Sequence, residues 1–160
     1  MTARYEHLLG RPFIYGRQDC YSIVRDFFAD NHNLVLPNYA RPNEFWKHGM
    51  DMYRDRYVKN GFEVLHCHPS EYQEGDVFLM AITSQVANHA AVLVEGGKVL
   101  HHMWGRLSAV EPYRDLYRNT TVAVLRHRDV VVEKSESQTD IREYLSTRLK
   151  QKLGGLPETS

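Results

Sequence analysis

The sequence predicts an α+β domain in which N-terminal helices pack on a central antiparallel β-sheet. Apolar residues recur at helical spacing just after residue 19, five short β-prone runs follow residue 61, and a glycine pair separates two of those runs. Helices first and strands afterwards argue against a doubly wound sheet, in which the two alternate.

Asp19 stands where a helix cap accepts a hydrogen bond from an unpaired amide, so a helix is expected over 20–29. Ile23, Val24, Phe27 and Phe28 form its buried stripe, while Arg25, Asp26 and Asp30 fall on other faces. Residues 31–44 hold two Pro and four Asn and read as loop. A second helix is expected over 44–60, stopped by Gly61.

The strand candidates are 62–67, 77–82, 89–94, 98–103 and 121–126. Glu95-Gly96-Gly97 joins two of them, because glycine supplies the positive φ that a tight hairpin demands. Beyond these, 133–139 reads as a polar hinge, and Asp140 to Glu143 forms a capping box ahead of Ile141, Tyr144, Leu145, Leu149 and Leu153. The expected organisation is therefore one domain over 1–132, then a hinge and amphipathic helix over 133–160.

The 160 residues are 42% hydrophobic, enough for one folded core. Twenty basic residues balance twenty acidic ones, which removes the basic excess of a nucleic-acid binder. The longest apolar runs, such as 77–82, fall far short of the roughly 20 residues that span a membrane. No apolar stretch near the N-terminus reads as a signal peptide. Two cysteines, Cys20 and Cys67, cannot build a disulfide framework, which turns attention to a functional thiol.

Cys20 falls at the first turn of its helix, where free amides and the macrodipole are expected to stabilise a thiolate and lower the thiol pKa. Such a nucleophile needs a base, and His89 opens an abruptly apolar strand. If the hairpin closes through 95–97, residue 89 lies opposite about 103, with His101 close by. Positions 89 and 101 have equal parity and share a sheet face, so His101 is placed to orient the His89 ring. His66-Cys67-His68 alternates faces, so no metal site is expected there. Trp104, Tyr113 and Tyr117 read as packing or groove walls.

Taken together, Pro12-Phe-Ile-Tyr-Gly16, Asp19-Cys20, Glu74-Gly-Asp76 and the stretch from His89 to His101 resemble the NlpC-type cell-wall cysteine peptidases, which have a papain-like core. The resemblance runs over roughly 10–126. It implies Cys20 as nucleophile, His89 as base and His101 as the polar orienting residue, no cofactor, and the stem peptide of peptidoglycan as substrate. Within that family the chain is most similar to the peptidase modules of bacteriophage tail-tip assembly proteins, which carry an aromatic residue after the cysteine, here Tyr21. The family's oxyanion-site tyrosine aligns with Phe13, so that Tyr15 or Tyr21 supplies the hydroxyl or the donor is absent, and Asp19, Tyr15 and Tyr21 are the expected substrate-facing residues.

The expectation is thus a peptidoglycan endopeptidase associated with a phage tail tip, made in the host cytoplasm, carried in the virion and acting during genome entry. Stem or cross-bridge peptides and other tail-tip proteins would be its partners, with the helix over 140–153 as the docking element. At 160 residues it would be a stand-alone version, without the metalloprotease-like domain that precedes the module in larger relatives. The rival expectations are a structural tail-tip component with vestigial activity, and a thiol acyltransferase or amidase on the same scaffold.

Overall fold

The computed structural model describes residues 3–42 and 44–130. Three α-helices, α1 (Cys20–His32), α2 (Met52–Lys59) and α3 (Leu116–Thr120), accompany six strands: β1 (Phe62–Val64), β2 (Val77–Met80), β3 (His89–Val94), β4 (Lys98–His101), β5 (Ala109–Pro112) and β6 (Thr121–His127). The strands form one antiparallel sheet in the order β1-β6-β2-β3-β4-β5. The architecture is the expected α+β, helices on an antiparallel sheet.

The side chain of Asp19 accepts from the Ser22 amide and starts α1. The helix runs past the expected residue 29 to His32, because Asn31 caps inward, donating to the Phe27 carbonyl, and Asn33 in the left-handed region closes the end. Ile23, Val24, Phe27 and Phe28 are fully buried against Val77, Leu79, Ala90, Val92 and Leu100 of the sheet. Leaving water contributes about 1.5–3 kcal/mol for each such phenylalanine.

The expected helix over 44–60 is two pieces. A 3₁₀ turn, Phe45–His48, ends at Gly49 with φ 72°, and α2 begins only at Met52. A left-handed residue cannot continue a right-handed helix. The expected stop at Gly61 holds: its φ is 97°, and a Cβ there would lie 2.6 Å from Nε2 of His127.

Residue pairing between β3 and β4 runs Ala91 to His101 and Val94 to Lys98, the register that the glycine hairpin implies. β2 is buried at all four positions, which accounts for its unbroken apolar sequence. One face meets α1. The other, carrying Phe78, Met80, Ala91 and Val99, is covered by Tyr113 and Tyr117 from the segment between β5 and β6. Three expected strands are shorter than predicted, since β1 stops at Val64, β2 at Met80 and β4 at His101. β5 itself was not anticipated: it is only partly buried and ends on a proline, so it lacks a strand's alternation. The expected hinge at 133–139 and helix at 140–153 lie outside the described residues.

Candidate active site

The first turn of α1 and the start of β3 border one cleft of about 580 Å³, whose walls include Phe13, Trp46, Tyr53 and Trp104 alongside Cys20 and His89. Cys20 occupies the first helical position after its cap. Helix geometry leaves its amide and that of Tyr21 without an intrahelical acceptor, so these N–H groups form a donor site for a developing oxyanion. The Cys20 thiol hydrogen-bonds to the Tyr53 hydroxyl across 3.2 Å.

Asp19, beside it, is fully committed. One carboxylate oxygen accepts from the amide and hydroxyl of Ser22, and the other from Nε of Arg41 at 2.7 Å. Arg41 is itself buried and donates also to the carbonyls of Gly16 and Tyr39. This buried ion pair anchors the loop before the second helix to the turn that presents Cys20.

His89, His101 and Glu111 lie on one face of three adjacent strands, β3, β4 and β5. His89 Nε2 lies 2.9 Å from His101 Nδ1, and His101 Nε2 lies 2.9 Å from a carboxylate oxygen of Glu111. The Tyr117 hydroxyl donates to that same oxygen. With Nε2 of His89 engaged, Nδ1 is the nitrogen left for the cleft.

Burial governs the electrostatics. It pushes the Cys20 thiol up to about 12, with the Asp19 charge adding to it, and the Tyr53 hydroxyl and Ala90 amide opposing it only in part. The expected lowering of this pKa is therefore corrected: desolvation outweighs the helix terminus. Burial also pushes His89 well below 6.5, and His101 and His102 add to the effect. His101 is lowered by burial too, though Glu111 works against it. For Glu111 burial acts upward, but hydrogen bonds from Tyr117 and His101 hold its carboxyl below the usual range. The resting site pairs a neutral thiol with a neutral imidazole next to a carboxylate-anchored histidine.

A model of the NlpC/P60 family matches residues 10–126. The chain belongs to this family. It is 34% identical over 125 residues to tail tip assembly protein K of Escherichia phage N15, a match covering 77% of this chain and 50% of that protein. To tail tip assembly protein K of Escherichia phage lambda it is 35% identical over 122 residues, covering 76% of this chain and 60% of that protein. The chain thus spans half to three fifths of the length of these relatives. Two solved structures share the fold at 17% identity. One, an NlpC/P60 family protein from Bacillus cereus ATCC 10987, has a TM-score of 0.55, with 77% of this chain and 37% of that one aligned. The other, described as similar to lipoprotein, NLP/P60 family, from Staphylococcus aureus subsp. aureus Mu50, has a TM-score of 0.53, with 80% of this chain and 39% of that one aligned.

Within this NlpC/P60 domain the structure brings Cys20, His89, Asp19 and Tyr15 to one cleft, with His101 behind His89. Tyr15 uses its hydroxyl to hold the loop, donating to the Pro42 carbonyl and accepting from the Glu44 amide. Tyr21 is not at the cleft. It is 1% exposed, and its hydroxyl donates to the Pro37 carbonyl, because one step along a helix turns a side chain about 100° from its neighbour. The hydroxyl beside the Cys20 thiol comes from Tyr53, on a helix 33 residues away, which no local pattern signals. Arg41 and Glu111 were likewise missed. Arg41 sits in an Asn/Pro-rich loop, and Glu111 would have followed from strand parity had β5 been recognised. Among the described residues no cluster of three His, Cys, Asp or Glu could hold a metal ion.

Proposed function

We propose that this chain is a cysteine endopeptidase that cleaves stem or cross-bridge peptides of bacterial peptidoglycan and is carried at a phage tail tip. The observation that carries this reading is the cleft that a helix-terminal Cys20 and a strand-initial His89 both line, His89 being backed by His101 and Glu111. Membership of the NlpC/P60 family and the tail tip assembly protein K relatives support the substrate class and the location.

The neutral resting pair determines the order of events. A peptide entering the cleft displaces water, and Sγ of Cys20 attacks the scissile carbonyl as its proton passes to Nδ1 of His89. The new S–C bond makes a tetrahedral oxyanion beside the free amides at the α1 terminus. His89 then returns its proton to the leaving amine as the C–N bond breaks, which leaves a thioester on Cys20. Water, deprotonated by His89, hydrolyses that thioester and restores the thiol.

A structural role in tail assembly is the second reading, favoured by the elevated thiol pKa and by the relatives' being tail tip assembly proteins. Purified protein incubated with muropeptides separates the two by mass analysis. Products carrying one added water across a peptide bond support the peptidase, and unchanged muropeptides support the structural role.

A further inference from the structure

We propose that Glu111 is a positioning residue that fixes the tautomers of His101 and His89, and so keeps Nδ1 of His89 free to take the thiol proton. The inference rests on the peptidase reading and assigns to β5 a role in the site.

Strand pairing sets the geometry. Ala91 pairs with His101 and Val99 with Glu111, so His89, His101 and Glu111 project from the same face of β3, β4 and β5 in a diagonal row. The contacts along the row are 2.9 Å and 2.9 Å.

A carboxylate has only acceptor oxygens, so the Glu111 contact requires a proton on Nε2 of His101. A neutral imidazole carries one N–H, so Nδ1 of His101 is then a bare acceptor. Nε2 of His89, which faces that acceptor, must supply the proton. The remaining nitrogen of His89, Nδ1, is left unprotonated.

Without the carboxylate, His101 is free to carry its proton on Nδ1. That proton would point at Nε2 of His89 and force the His89 proton onto Nδ1, where it blocks the base. Tyr117 keeps Glu111 in the acceptor role by donating to the same oxygen, and its ring packs edge-on against His101 at 4.8 Å. Arg106, also near this carboxylate, favours its charged form.

The test uses full-length protein labelled with ¹⁵N-histidine and two-bond ¹H–¹⁵N correlation spectra at neutral pH. Wild-type protein should show His89 and His101 both protonated on Nε2, a readout that needs no activity. A proton on Nδ1 of either ring in wild type overturns the proposal. Glu111→Leu should shift the His101 pattern toward Nδ1–H and lower kcat on muropeptides by about 100-fold with KM little changed. Glu111→Gln keeps a carbonyl acceptor and should lose about 10-fold. Unchanged tautomers and unchanged kcat in a folded Glu111→Leu protein also overturn it. If Glu111→Leu does not fold, Glu111→Ala provides the same spectroscopic comparison: a shift of His101 toward Nδ1–H supports the proposal, and an unchanged pattern overturns it. Inactive wild-type protein with the stated tautomers would count against the peptidase reading alone.

Discussion

The Tyr53 hydroxyl, carried by α2, lies 3.2 Å from Sγ of Cys20 at the start of α1, and both groups are buried. Burial holds the Tyr53 hydroxyl well above its ordinary pKa, so it stays protonated and is a hydrogen-bond donor at neutral pH. In the proposed mechanism it donates to the sulfur as negative charge develops there, which would offset part of the desolvation that keeps the thiol neutral. Phe13, which also lines the cleft, has no hydroxyl to offer.

Tyr53→Phe should therefore lower kcat on muropeptides by roughly 10- to 100-fold, about the value of one hydrogen bond to a charged group. The ring packing against Phe45 and Tyr21 is retained, so the melting temperature should move little. Activity equal to wild type would show that this hydroxyl does not face the developing charge.

Arg41→Leu should be among the most damaging substitutions outside the histidine pair. It strands the Asp19 carboxylate, whose side chain is 6% exposed, and breaking a buried pair from one side costs about 3–5 kcal/mol. Denaturant titration measures this, and the double variant with Asp19→Asn should recover much of the loss. A single variant as stable as wild type would mean that the pair is dispensable.

His89→Ala should abolish turnover as completely as loss of the thiol, since both proton transfers pass through this ring. His101→Gln should be milder, because it removes an orienting partner and leaves the base. Steady-state kinetics on one muropeptide ranks the two, and a more damaged His101→Gln would reverse the assigned roles.

Stability should peak between about pH 6.5 and 9. His32, His89, His101 and His102 are all pushed below 6.5, chiefly by burial. Below that pH the unfolded chain takes up protons that the folded one refuses, so stability falls as pH falls. At the other end, Cys20 keeps its proton from 9.0 up to about 12 in the fold while the unfolded thiol loses it, so stability falls as pH rises past 9. Melting temperature measured against pH checks both limbs. A protein that becomes more stable from pH 7 to 5 would contradict the acid limb.

The capped start of α1, the glycine hairpin and the equal parity of His89 and His101 were legible because each is set within a few residues of chain. Nothing comparable marked β5, whose residues are half-exposed, or Tyr53 and Arg41, which reach Cys20 and Asp19 across 33 and 22 residues of chain. The sign of the Cys20 shift was misread for the same reason. A helix terminus is visible in sequence, whereas the depth at which it is buried belongs to the tertiary fold. Tyr21 likewise has the polarity of a groove residue, yet the phase of α1 places it among Tyr39, Tyr53 and Tyr57.

The most direct test of the account compares wild-type and Cys20→Ala protein on the same purified muropeptides, with the reaction quenched and both protein and products weighed by mass spectrometry. Wild type should release shortened peptides and carry, at short times, the acyl half of the substrate on the tryptic fragment containing Cys20. The Cys20→Ala protein, folded by circular dichroism, should do neither. Peptide cleavage by the Cys20→Ala protein would contradict the assignment of the nucleophile.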